Sequence, residues 1–539
     1  MELKKSLILL IIAVIVVAGV ATYYFSNLNK VSKVVVYAYN DAITGIDPSV
    51  EDDTGLVVLG VVYEPLLYYN PIKNEFKPAL AVNWTSNEDM TEWVFKLRQG
   101  VVFHDGTPFN ATAVKISVER AKKIYENSGR GLGYIWEAVE EIEIIDEYTI
   151  KFKLSYPQRL DIMASASYAA YIFSPSVLSK VGTSDLTDPK IEEWFNNGNA
   201  AGTGPYVLEL YKPDSEIRLR KFDRWWGWRE VNNPDAPDVV VIRIMTEPQA
   251  QYNAILSKNV HIASSIPRVY VSELEKRSDV KVIKTPTFHN YLLFFNVKRY
   301  PTNITEFRKA VLYAINLTEA IQISMLNYAT PGSGIVPRGF PGFVEDLQYR
   351  YNKSLAEQYL AESGVKTPAS IQLLYQVDYE ELNKLAQLLK TRLGEIGIDL
   401  ELVPVTWSQL KDIAKGVWDN PDQTPHIIIA DWWPTIASPY DFLYTMFSSE
   451  SKEWNFAGYE NPEFDNLVNQ AFYLEGSNYT KAMEMYTQAQ RIIFEEAVAI
   501  NLWDEVKPFI VVSNIEVPED AFNPLYMYVI RFEIVRVKG

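Results

Sequence analysis

The residues best suited to hold a ligand follow the apolar run His426–Ala430: a carboxylate, Asp431, and two adjacent indoles, Trp432 and Trp433. A buried carboxylate can anchor a ligand ammonium through a charge-assisted hydrogen bond. Tryptophan offers a flat apolar face and one N–H donor, which suits either an extended peptide backbone or a sugar ring. The apolar run reads as a strand, and open α/β sheets place ligands beyond the carboxyl ends of their strands. Asp431 is therefore a candidate anchor; the competing reading is an aspartate that caps a turn. Alternation along an extended chain would turn only one of the two indoles into a cleft. Trp407 stands in a comparable place, after the strand-like run Leu400–Val405.

Catalytic chemistry is poorly provided for. No two of the four histidines (His104, His261, His289, His426) have the i, i+4 spacing around a glutamate that a zinc peptidase needs, and there is no Gly-x-Ser-x-Gly elbow. His104-Asp105 looks like half of a dyad, but Asp105-Gly106 is a turn pair, and neighbouring residues of a strand face opposite ways. With no cysteine, thiolate metal sites, iron–sulfur clusters, cysteine nucleophiles and thioether lipid anchors are excluded. No metal or cofactor is expected. The 51 Lys+Arg against 68 Asp+Glu give a net charge of −17, which argues against nucleic acid as a partner. Spacing alone leaves a paired-carboxylate glycosidase open, because so many acids offer many pairs.

The elements that must carry these residues alternate. Strand-like runs at Val34–Tyr39, Thr149–Leu154, Val239–Met245 and Ile371–Tyr375 are interleaved with helical stretches, so an α/β architecture is expected. Thr305–Ile315 places Phe307, Val311 and Ile315 on one helical face. Ser354-x-x-Glu357 and Asp378-x-x-Glu381 read as capping boxes, with Gly364 and Gly394 as stops. A chain of 539 residues allows about three to five domains. Residues 7–25 carry no charge and span about 28 Å as a helix, enough to cross a bilayer. Lys4 and Lys5 precede them and predict a cytoplasmic N-terminus with the body outside. An uncleaved anchor and a pilin-like leader cut after Ser6 fit better than a secretory signal, whose apolar core is usually shorter. Such a helix could also support self-assembly into filaments. Asn83, Asn110, Asn303, Asn316, Asn352 and Asn478 stand in N-x-S/T acceptors for glycosylation; helix capping is the alternative explanation of these asparagines.

The stretch Leu97-Arg-Gln-Gly-Val-Val-Phe-His-Asp-Gly-Thr-Pro-Phe-Asn-Ala111 reads as strand, turn and helix entry, and it resembles the signature of the family 5 extracellular solute-binding proteins of ABC importers. Four further landmarks resemble that family in the same order: Val62–Tyr68; Gly202–Leu208 with Arg220 and Trp225-Trp226-Gly227; Asn296, Arg308, Ala310 and Tyr313–Asn316; and Gly458–Asp465. The resemblance runs from about Val34 to Val537. It implies a bilobal periplasmic-binding-protein-like fold (type II, peptide-binding class). Lobe I would comprise 33–76, 201–287 and 506–539, an extra inserted domain 77–200, and lobe II 288–505. A leader (1–6), an anchor (7–25) and a linker (26–32) would precede them. It further implies hinges near 287 and 505, a peptide ligand and permease subunits as partners. Asp431 matches the position at which peptide-binding members hold the ligand's α-amino group, and Tyr291 and Asn296 follow the hinge, where lining residues are expected. One departure concerns the ligand's C-terminal carboxylate. No arginine stands in Leu374–Tyr379 or Asp419–Asp431, which leaves His426 or Arg338 as substitutes and leaves oligosaccharides open beside peptides.

Overall fold

A computed structural model describes residues 32–538 apart from 72, 74 and 524. The leader and the anchor expected at 7–25 lie outside the described residues. Among the described residues, no helix is long and apolar enough to cross a membrane.

One eleven-stranded sheet organises the chain, and two long strands hold it together. Val280–Phe295 and Ala499–Val512 run antiparallel and pair along nearly their whole length. Beside one end of this pair lie Ile262–Ala263, Val34–Tyr39, Val239–Ile244, Glu216–Lys221 and Tyr206–Lys212, in that order; beside the other lie Ile427–Trp432, Ala369–Gln376 and Ile398–Val405. The sheet thus has two halves, each with its own apolar core. Val35, Tyr37, Ile242 and Phe509 belong to one core, and Leu293, Leu373, Leu389 and Ile429 to the other. Between the halves the register breaks: Thr287, Phe288 and His289 stand opposite the single residue Glu505. Such a bulge loosens the ladder where both strands cross from one half to the other.

The signature stretch leads into the helix Ala111–Ser128, with Asn110 accepting from the amides of Thr112 and Ala113. The helix packs on a separate antiparallel sheet of Ala81–Ser86, Glu92–Leu97, Thr149–Leu154 and Val139–Asp146. Its core continues into the helices Pro439–Phe447, Pro462–Leu474 and Tyr479–Glu495, whereas Tyr168, Tyr171, Phe173, Val177, Ile191 and Phe195 pack with the core of the first half. The segment 77–200 is therefore shared between two cores.

Two of the resembling segments meet in the interior. Glu64 accepts 3.0 Å hydrogen bonds from the indole N–H groups of both Trp225 and Trp226, and burial pushes its carboxyl up to about 7. Gly202 passes so close to the helix Leu56–Val62 that a Cβ would lie 2.0 Å from the Val62 carbonyl oxygen, which explains glycine there. Two expected caps move. Asn352, not Ser354, caps Lys353–Glu362 by accepting from the Leu355 amide, and Glu380–Gly394 begins after Tyr379 with no side-chain cap. Side-chain capping also accounts for Asn110, Asn316, Asn352 and Asn478, each of which accepts from backbone amides of its helix's first turn. Asn83 and Asn303 are exposed.

Candidate functional site

A cavity of about 1460 Å³ lies between the two halves of the sheet. Six strands that run parallel to a neighbour point their carboxyl ends at it. Asn40 and Asp41 follow Val34–Tyr39, Thr246 and Glu247 follow Val239–Ile244, and Ser264 and Ser265 follow Ile262–Ala263. From the other half come Gln376, Trp407 and Asp431, at or just beyond the ends of their strands. Parallel strands leave their connecting segments at these ends, so each half presents loops to the same space.

A charged chain crosses the floor of the cavity where the long strands break register. His289 Nε2 lies 2.8 Å from Asp431 Oδ2, and its Nδ1 lies 2.9 Å from Glu505 Oε2. Arg268 continues the chain, 2.6 Å from Glu505 Oε1 and 3.0 Å from Glu381 Oε1. Burial favours the neutral imidazole, but hydrogen bonds to Asp431 and Glu505 outweigh it and raise the His289 pKa. Burial likewise opposes ionised Glu505, yet Lys507, His289 and Arg268 hold it well below the usual carboxylate range. The Trp433 ring lies flat on the imidazole, 4.0 Å between centroids and 6° between planes. Asp431 Oδ2 is taken by His289, whereas its Oδ1 has no hydrogen-bond partner among the described residues, and the residue lines the cavity.

Of the residues singled out in the sequence, Asp431, Trp432, Trp433, Trp407 and Tyr291 line this cavity. Both indoles of the Trp432-Trp433 pair do so, because the strand ends at Trp432 and its alternation no longer governs Trp433. Trp432 Nε1 donates to Asp441, whose buried carboxyl rises to about 7, and Trp407 stacks on Trp454 at 6.2 Å. Asn296 does not line the cavity. It is fully buried, and its amide donates to the carbonyls of Pro421 and Thr424. The two substitutes for a carboxylate-binding arginine also lie elsewhere: His426 bonds the Gln372 amide and the Tyr300 carbonyl, and Arg338 pairs with Glu345. His289, Arg268, Glu505 and Lys507 escaped sequence reasoning. One trace was available: Asp504, Glu505 and Lys507 interrupt an otherwise apolar strand.

The His104-Asp105 pair is not a dyad. His104 Nε2 contacts the Gly204 carbonyl at 2.9 Å and burial lowers its pKa to about 4, while Asp105 turns to Thr107, Ser176 and Lys180. Among the described residues, no group of three or more His, Cys, Asp or Glu side chains is placed to hold a metal.

Comparison with known proteins agrees with this architecture. Residues 75–454 match the family model of the bacterial extracellular solute-binding proteins, family 5. The chain is 27% identical over 489 residues to a probable D,D-dipeptide-binding periplasmic protein of Escherichia coli K12, covering 89% of this chain and 90% of that protein. It is 25% identical over 493 residues to the glutathione-binding protein of the same strain, covering 90% and 92%. Among solved structures, the ABC transporter-associated periplasmic binding protein of Helicobacter pylori in complex with the peptide STSA superposes with a TM-score of 0.77 at 24% identity. That match covers 94% of this chain and 98% of the other.

Proposed function

The chain belongs to the family 5 bacterial extracellular solute-binding proteins, and on that premise we propose that it captures peptides between the two halves of its sheet and delivers them to the permease of an ABC importer. The observation that carries this reading is Asp431: a carboxylate at a strand's carboxyl end, walled by aromatic rings, with one oxygen left for a ligand ammonium. The dipeptide-binding relative supports the ligand class. In this reading lobe I (33–76, 201–287, 506–539) and lobe II (288–505) close by hinge motion about Thr287–His289 and Glu505, where the ladder is already broken. The extra segment 77–200 bridges them, and residues 7–25 tether the body at the outer face of the cytoplasmic membrane. Neither catalysis nor a cofactor enters. The stacked Trp407 and Trp454 would also suit a sugar ring, so oligosaccharide is the second reading.

The test is Asp431→Asn, titrated with trialanine and N-acetyl-trialanine. A charge-assisted hydrogen bond contributes about 1.5–3 kcal/mol, so the free-amine peptide should weaken about ten- to hundred-fold. The acetylated peptide has no ammonium to lose and should change little. Equal loss for both removes Asp431 from the anchoring role.

A further inference from the structure

We infer that the cavity selects ligands of net positive charge, with Asp41, Asp52 and Asp53 on one wall taking a basic side chain; this rests on the peptide-receptor reading above. Thirteen Asp and Glu residues line the cavity against four Lys and Arg. Three of those cations are already engaged. Arg268 bridges Glu381 and Glu505, Lys384 pairs with Glu380 at 2.7 Å, and Lys507 is half-buried and held by the charge of Glu505 and the hydroxyl of Tyr528. Lys411 alone faces the space without a carboxylate in ion-pair contact, lodged near the rings of Trp407 and Trp454.

The acids are not balanced in the same way. Among the described residues, Asp41, Asp52 and Asp53 have no ion pair, and two of them are adjacent in the chain. All three are exposed to the cavity, yet its walls desolvate them and raise their pKa values, and the charge of Asp53 raises those of Asp41 and Asp52 further; Lys507 offsets this only in part at Asp41, and Lys411 only in part at Asp52 and Asp53. A cation placed among them relieves both the desolvation and the repulsion. Asp41 also acts, with Asp431, on the Tyr379 hydroxyl, so the two walls share one electrostatic space.

An independent observation comes from two buried polar groups of the other half. Gln376 is 5% exposed and Ser324 3%; both line the cavity, and neither the Gln376 Oε1 nor the Ser324 Oγ has a hydrogen-bond partner. Buried acceptors are ordinarily satisfied. A guanidinium, with five donors and no acceptor, or an ammonium with three, supplies what such oxygens lack.

The experiment is calorimetric titration of the full chain with Ala-Arg-Ala, Ala-Lys-Ala, Ala-Gln-Ala and Ala-Glu-Ala. The two basic peptides should bind about ten-fold tighter than the glutamine peptide, and the glutamate peptide weakest. That preference should shrink as ionic strength rises from about 0.01 M to about 0.15 M. In Asp52→Asn/Asp53→Asn the ratio of arginine to glutamine affinity should fall to about two- to three-fold. Should the double variant not fold, the salt dependence of the wild-type ratio decides in its place. Equal affinities for all four peptides, a ratio indifferent to salt, or a ratio retained in the folded double variant would overturn the charge selection while leaving peptide capture intact. If none of the four binds, the peptide reading itself falls and the selection with it.

Discussion

Replacing His289 by glutamine tests how the two halves are fastened. Its imidazole touches two other parts of the chain: Glu505 on the second long strand, and the end of the strand Ile427–Trp432 through Asp431 and the following Trp433 ring. His289 and Glu505 are each 4% exposed. Breaking a buried charged pair by removing one partner costs about 3–5 kcal/mol. Glutamine keeps a donor for one of the two carboxylates, so the lower end, about 3 kcal/mol, is expected at neutral pH. The pH dependence is more diagnostic than the size. Because the folded His289 pKa is raised, the folded chain holds this proton more tightly than the unfolded chain. Its contribution is whole below about 6.5 and is lost as pH rises through the folded value. Other groups tilt the same curve. Glu64, Glu475 and Asp441, raised to about 7, and Asp504, raised to about 6, also lose stability as pH climbs toward those values. His104 and His426, held down to about 4, gain it between there and about 6.5. Subtracting the variant's urea-unfolding midpoints from those of the wild type removes these common contributions. The difference should be largest near about pH 6 and shrink steadily toward about pH 9. A difference that stays constant, or grows with pH, would refute the charged role of His289.

Arg120→Met should destabilise by about 3–5 kcal/mol in urea, because Arg120 and Asp47 form a buried pair with contacts of 2.6 and 2.5 Å; adding Asp47→Asn should restore part of the loss. Asn110→Ala removes the cap of Ala111–Ser128 and should cost about 1 kcal/mol in the same assay, whether or not a glycan is present. Trp433→Ala removes the ring lying on His289, and a stack contributes about 0.5–1.5 kcal/mol beyond its area. Trp433 also lines the cavity, so losing a ring contact of that size with the peptide should lower trialanine affinity by about two- to ten-fold in calorimetry, and an unchanged affinity would take Trp433 out of the site.

Much of the fold was legible because its strands are apolar runs bounded by polar turns. Val34–Tyr39 and Thr149–Leu154 are strands with the same bounds as in the sequence, and Asp431 stands one residue before the end of the strand Ile427–Trp432, at the cavity, as its position after His426–Ala430 suggested. Local competition was less legible. Asn352 lies two residues before the serine that looked like a cap, and the helix start is settled by which side chain reaches the Leu355 amide. The floor of the site was illegible for a different reason. His289 meets Asp431 across 142 positions and Glu505 across 216, and Arg268 meets Glu505 across 237. No spacing rule connects residues that only the crossing of two strands brings together. Asn296 failed in the opposite sense: it lies in the right segment, but one residue past the strand Val280–Phe295 it spends its amide on the carbonyls of Pro421 and Thr424.

The central claim, peptide capture between the two halves of the sheet, is tested most directly by calorimetry of the full-length protein against a panel of short peptides beside cello- and malto-oligosaccharides. The account predicts saturable binding of peptides with a free N-terminus, one per chain, and no heat from the sugars. Saturable binding of the sugars alone, or turnover of any panel member, would contradict it.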